Sequence, residues 1–185
     1  MRIIAGKARG RKIAVPPVPG VRPTLDRVRE ALFSVVHGML RGEDVLDLFA
    51  GSGSLGIEAL SRGARHAMFV DSQRTCLEVI ENNLRRCDFE DSATVLCGVV
   101  PHCFSDVQKK HDGTYGIVFI DPPYQTPFDV NILIGLHRFS LLKEGAIIII
   151  EHDRRKDIDC LPGCCLFERK RVYGEVGITM VTYKP

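Results

Sequence analysis

Asp121-Pro122-Pro123-Tyr124 places a carboxylate, two prolines and an aromatic ring directly after the apolar run Ile117 to Ile120. Two prolines set an extended turn and remove two backbone donors, so the carbonyls left there can only accept. A side-chain acceptor beside a rigid carbonyl suits an exocyclic NH2 group. With its two N–H bonds held by Asp121 and the Pro122 carbonyl, such a nitrogen aims its lone pair at an electrophile. Tyr124 can stack on the ring that carries the amine, an interaction worth about 1–3 kcal/mol. A plain Pro-Pro loop after a strand would need neither the acid nor the ring.

A second group of residues precedes it. Gly51-Ser52-Gly53-Ser54-Leu55-Gly56 follows the apolar run Val45 to Ala50 and opens a helical pattern. Glycines there let a backbone approach a ligand closely, and the helix N-terminus favours electron-rich groups. Asp71 lies 20 residues after Gly51, at the end of the next apolar run, where it can accept hydrogen bonds from ribose hydroxyls. A nicotinamide dinucleotide and an adenosine-type cofactor explain these features equally well. Asp47 separates them, because a carboxylate in the last turn of a buried strand is costly without a partner. The α-ammonium of S-adenosylmethionine supplies a partner, whereas a pyrophosphate would be repelled. The alternative for Asp47 is a carboxylate that only hydrogen-bonds amides of the glycine turn. An amine cradle beside a sulfonium cofactor points to direct in-line methyl transfer without a metal or a covalent enzyme intermediate. Positioning can contribute about 7–11 kcal/mol to such a reaction.

The elements that must hold these groups alternate regularly. Strands are expected at Val45 to Phe49, Ala67 to Asp71, Ala93 to Cys97, Ile117 to Asp121 and Ala146 to Glu151. Helices are expected at Leu55 to Arg62, Thr75 to Cys87, Pro101 to Lys110 and Phe128 to Leu136. Repeated βα units with near-continuous apolar strands imply an α/β fold, a mostly parallel sheet covered on both faces, with sites at the carboxyl ends of the strands. Cys164 to Tyr173 and Val176 to Tyr183, split by Gly174-Glu175, read as an antiparallel hairpin at one edge. Upstream, Thr24 is a candidate N-cap for an amphipathic stretch through Met39, and Arg2 to Ala5 with Lys12 to Val15 read as a β-hairpin arm.

Charge divides the chain more sharply than the total suggests. Residues 1–41 carry 9 Lys and Arg against 2 Asp and Glu, and the rest carries 16 against 21, about +7 and about −5 within a net +2. A basic arm on an acidic body suits a phosphate-bearing partner. At 185 residues the chain is expected to be a single domain, residues 24–185, preceded by an arm, residues 1–23. No apolar run approaches the roughly 18 residues of a spanning helix, and the N-terminus lacks a secretory h-region. The seven cysteines, an odd number without CxxC spacing, read as reduced thiols of a cytosolic protein.

Asp47-Leu48-Phe49-Ala50-Gly51-Ser52-Gly53 together with Asp121-Pro122-Pro123-Tyr124 resembles the class I S-adenosylmethionine-dependent methyltransferases that act on exocyclic amines. Arg2-Ile3-Ile4-Ala5-Gly6, Arg22-Pro23-Thr24 and Arg27-Val28-Arg29-Glu30-Ala31-Leu32-Phe33 are similar to the bacterial 16S rRNA guanine-N2 methyltransferases, and the match covers nearly the whole chain. The resemblance implies a seven-stranded Rossmann-like fold in which Asp47, Phe49, Ala50, Gly51, Ser52, Gly53 and Thr24 approach the methionine end of the cofactor. Asp71 and Ser72 would then border its ribose, and Asp121 to Tyr124 the guanine amine. Family members usually carry an acidic residue after the third strand, near the adenine. Gly98-Val99-Val100 stands there instead, so contact at Val99 would rest on backbone groups and packing. Arg2, Lys7, Arg9, Arg11, Lys12 and Arg22 would grip phosphates of 16S rRNA or a small-subunit assembly particle, with Arg154-Arg155-Lys156 a weaker second patch. A cytoplasmic, monomeric enzyme is implied. Three alternatives remain open at this point: adenine-N6 methylation of nucleic acid, nicotinamide-dependent oxidoreduction, and a non-catalytic RNA-binding module.

Overall fold

Buried parallel strands are apolar on both faces, and five such segments build the centre of this molecule. A computed structural model describes residues 1–18, 26–36, 38–123, 128–156, 158 and 161–185. The strands are β1 (Asp44–Leu48), β2 (His66–Asp71), β3 (Ala93–Cys97), β4 (Tyr115–Ile120), β5 (Leu142–Asp153), β6 (Cys165–Tyr173) and β7 (Val176–Tyr183), in the spatial order β3-β2-β1-β4-β5-β7-β6. β1 to β5 run parallel, and β7 enters antiparallel between β5 and β6. Every residue of β1 and β4 is buried.

The chain runs outward from β1 to β3 and then crosses back to β4, so the winding reverses between β1 and β4. Their carboxyl ends therefore flank the crevice in which ligands of such sheets bind. Helices α1 (Asp26–Val36), α2 (Ser54–Ser61) and α3 (Arg74–Cys87) cover one face with Val45, Ile117, Phe119, Ile147 and Ile149 beneath them. Helices α4 (Phe104–Lys110) and α5 (Asn131–Arg138) cover the other, over Leu46, Val118, Ile148 and Ile150. Phe33 of α1 meets Phe119 of β4 with ring centroids 5.6 Å apart, anchoring α1 across the sheet's centre.

Several expected boundaries shift for identifiable reasons. β1 stops at Leu48 because Phe49 adopts a left-handed conformation, φ 62°, which turns the chain into the glycine loop. β4 ends at Ile120, one residue before Asp121. Residues 101–103 form a turn and α4 starts only at Phe104. α5 starts at Asn131 because the Asp129 carboxylate accepts the Asn131 N–H at 2.9 Å, ending the preceding loop.

The amino-terminal hairpin is a short antiparallel pair: Arg2 bridges Lys12, and the Ile3 and Ile13 N–H groups bond the Arg11 and Met1 carbonyls, each at 3.0 Å. Side chains of α2 take three further backbone donors. The Glu58 carboxylate accepts the Ile4 and Ala5 N–H groups at 2.8 and 3.0 Å, and Ser61 Oγ accepts that of Ala8 at 2.9 Å. Ile3, Ala8 and Ile13 are buried in the same core as α1 to α3, so these residues pack as part of the body.

Candidate functional site at the strand tips

Asp47 sits at the third residue past the start of β1, facing α2, and is 1% exposed. One of its oxygens accepts the Gly56 N–H at 2.8 Å. Burial pushes its carboxyl up to about 8, the Gly56 bond opposes this, and the nearby Asp71 charge adds to it. A carboxyl so disfavoured as an anion is one that a cation would restore. The Gly56 amide bond is the contact expected of a carboxylate that only braces the turn, but a single bond occupies one of about four acceptor positions. Gly56 itself is required, since a Cβ there would run into the Phe69 ring and come within 3.1 Å of the Asp47 oxygen.

Asp71 closes the loop from β2. Its two oxygens accept the Gly51 and Gln73 N–H groups, each at 2.9 Å. Gly51 and Gly53 have φ of 56° and 75°, a region that costs a side chain with a Cβ, so these turn positions call for glycine. Asn83 of α3, wholly buried, donates to the Ser52 carbonyl at 2.9 Å and exchanges two hydrogen bonds with Ala14, at 2.8 and 2.9 Å. It ties the glycine turn to the amino-terminal segment.

Asp121 and Pro122 enter the same rim from β4, where Leu48 pairs with Ile120 and the Asp121 N–H reaches the Leu48 carbonyl at 3.5 Å. Asp121 is half-buried, Pro122 buried and Pro123 exposed. Phe49 is half-buried, Ala50 and Ser52 are buried and Ser72 is exposed, and Val99 lies exposed past β3, after Gly98, whose N–H bonds the Asp71 carbonyl at 3.0 Å. Thr24, Arg22 and Tyr124 lie outside the described residues.

Lys7 and Arg11 of the amino-terminal segment lie away from this rim. Lys7 N–H bonds the Ser61 carbonyl at 2.8 Å, at the end of α2 that leads towards the start of β2. Arg11 pairs with Asp88 at 2.6 Å, just past α3. The loop of residues 6–11 thus lies one length of α2, about 12 Å, from the glycine turn. Lys7, Arg9 and Lys12 are exposed there. Arg154 and Arg155 are held by Glu175 and Asp153, at 3.1 and 2.7 Å.

Three buried polar residues went unremarked in the sequence: Glu58, which docks the amino-terminal segment, Asn83, which ties the glycine turn to it, and Glu151. Each is a polar residue within an otherwise apolar face or strand, which was the available signal. Glu151 is 5% exposed at the carboxyl end of β5. Among the described residues no group of three His, Cys, Asp or Glu side chains could hold a metal ion, and no helix is long and apolar enough to cross a membrane.

The strand order, the antiparallel β7 and the acid-flanked glycine turn at the reversal define a class I methyltransferase fold. The chain belongs to the family described as Conserved hypothetical protein 95, which matches residues 1–182. This is a family of bacterial small-subunit rRNA methyltransferases. Ribosomal RNA small subunit methyltransferase D of Escherichia coli is 36% identical over 181 residues, covering 95% of this chain and 86% of its own length. The putative rRNA methyltransferase YlbH of Bacillus subtilis is 34% identical, with 97% of each chain covered. The solved structure of the putative methyltransferase yhhF from Escherichia coli superposes with a TM-score of 0.85 at 31% identity, covering 100% of this chain and 98% of that one.

Proposed function

We propose that this chain transfers a methyl group from S-adenosylmethionine to the exocyclic N2 amine of a guanine in 16S rRNA. The observation that carries the reading is that Asp47, in β1, and Asp121, just past the adjacent strand β4, stand at the same end of the sheet, one buried and disfavoured as an anion, the other half-buried beside Pro122. Relatives named as small-subunit rRNA methyltransferases support the substrate class.

S-adenosylmethionine, when bound, supplies an activated methyl group on a sulfonium. Asp47 meets its α-ammonium, and the Gly51 to Gly53 backbone admits the methionine portion. Asp71 and Ser72 border the ribose, and the peptide around Val99 borders the adenine. Asp121 and the Pro122 carbonyl each accept one N–H of the target amine, with Tyr124 stacked on the base. Asp121 serves as an acceptor that orients the nitrogen, and the proton leaves after transfer. Residues 24–185 form the catalytic unit in this reading. Residues 1–23 contact RNA through Arg2, Lys7, Arg9, Arg11, Lys12 and Arg22.

The test is Asp121→Ala. Methyl transfer to unmodified small subunits should be abolished, while affinity for S-adenosylhomocysteine, measured by calorimetric titration, stays within a few-fold. Equal loss of both would make Asp121 a support of the pocket. Binding of NAD in place of S-adenosylhomocysteine by the unaltered protein would overturn the cofactor assignment.

A further inference from the structure

Glu151 is a carboxylate that the transfer reaction as set out above does not use. Ile120, the last residue of β4, pairs with Ile150 of β5, so continuing that register by one residue sets Asp121, just past β4, beside Glu151, about 4.8 Å away in the backbone. Strand alternation puts both on the face of Phe119 and Ile149, which is also the face of Val45 and hence of Asp47. Its neighbour His152 falls on the opposite face and is engaged there, with Nε2 2.8 Å from Thr179 Oγ1. Glu151 is therefore a second acid on the same side of the rim as the proposed amine acceptor, and it is 5% exposed.

The three bases with exocyclic amines differ in what lies next to that amine. In adenine, N6 is flanked by the N1 and N7 lone pairs. In cytosine, N4 is flanked by the N3 lone pair and a C–H. Only in guanine is the amine beside a ring N–H, at N1. Asp121 and the Pro122 carbonyl read an amine and cannot tell these bases apart. A carboxylate adjacent to Asp121 can, because it accepts a hydrogen bond from guanine N1–H and meets a lone pair on adenine or cytosine. Sites built around such a polar contact reject analogues that lack it far more strongly than apolar pockets reject a change of shape.

Resting on the proposed amine methylation, we infer that Glu151 is the residue that specifies guanine, by accepting the N1–H next to the amine that Asp121 holds. 2-Aminopurine keeps the N2 amine and lacks both the N1–H and O6, so the change of preference in Glu151→Gln is what assigns the N1–H contact.

The experiment first locates the methylated nucleotide in small subunits treated with the wild-type protein. It then compares kcat/KM on subunits carrying guanine or 2-aminopurine at that position. Wild type should prefer guanine by about a hundredfold or more. Glu151→Gln, whose carboxamide can donate as well as accept, should lower that preference to about tenfold or less. Both substrates are read on one enzyme preparation, so the ratio does not depend on the folded fraction. A wild-type ratio near one would overturn the inference, as would an unchanged ratio in E151Q or loss of turnover on both substrates in an E151Q protein with a normal melting transition. Failure of the underlying function reads differently: the wild-type protein would then methylate neither substrate, or the located nucleotide would be an adenine.

Discussion

With Asp47 paired to the α-ammonium as proposed, cofactor binding becomes a proton-linked event. The Asp47 carboxyl, pushed up to about 8, is almost wholly protonated at pH 6.5 in the free protein. An α-ammonium about 4 Å away, at an effective dielectric near 20, attracts the ionised form by about 4 kcal/mol. That is roughly a thousandfold in the ionisation equilibrium, enough to ionise the group fully at this pH. Binding should therefore release roughly 0.9 proton per cofactor at pH 6.5, and little by pH 9, where the free carboxyl is already ionised. Calorimetric titration of S-adenosylhomocysteine in two buffers of different ionisation enthalpy measures this number directly. Asp47→Asn keeps an acceptor for Gly56 and cannot titrate, so its release should vanish while affinity falls about 10- to 100-fold. Tight binding by the wild-type protein without proton release would refute the pairing of Asp47 with the ammonium.

Three further outcomes follow from the same geometry. Gly56→Ala should cost about 1–3 kcal/mol of stability in urea unfolding, through overpacking against Phe69, and weaken cofactor binding through the displaced Asp47. If about four phosphates are neutralised, log affinity for rRNA should fall with log salt at a slope of roughly −3, and replacing Lys7, Arg9 and Lys12 together by alanine should bring it to about −1. An unchanged slope in filter binding would remove the amino-terminal segment from the RNA interface. At the opposite end of the sheet, Asp44 is buried and accepts from Arg65 at 2.6 and 2.7 Å, with His111 Nε2 at 2.9 Å. Burial alone would raise its carboxyl, yet Arg65 and His111 outweigh burial and hold it below the usual carboxylate range. Its folded value being depressed, the stabilisation is present above about pH 4 and lost as pH falls further. Asp44→Asn should thus lower stability by about 1–3 kcal/mol at pH 7, with the gap to wild type closing in acid.

The central strands were legible because a strand buried on both faces must be apolar throughout, and the acids at their tips stood out against that background. Asp47, Asp71 and Asp121 come from three separate segments, yet strand alternation and the reversal between β1 and β4 bring them to one rim. The local ends of elements were less legible. Phe49 reads as one more apolar strand residue, and only the demand of the glycine loop turns it to φ 62°. The amino-terminal hairpin was legible as a short antiparallel pair, but its docking on the body was not, because Glu58 and Ser61, whose side chains take its other N–H groups, lie more than fifty residues away. Charge counting found the basic segment correctly as a composition, but the side of the sheet on which it packs depends on those same distant contacts. Glu151 went unread because a single acid ending an apolar strand gains meaning only once β5 is known to lie beside β4.

The central claim is tested most directly by the identity of the methylated nucleoside. Small subunits from cells lacking this protein, incubated with it and methyl-labelled S-adenosylmethionine, would be digested to nucleosides and separated. The account predicts label in N2-methylguanosine alone, lost with Asp121→Ala. Label in N6-methyladenosine would contradict it.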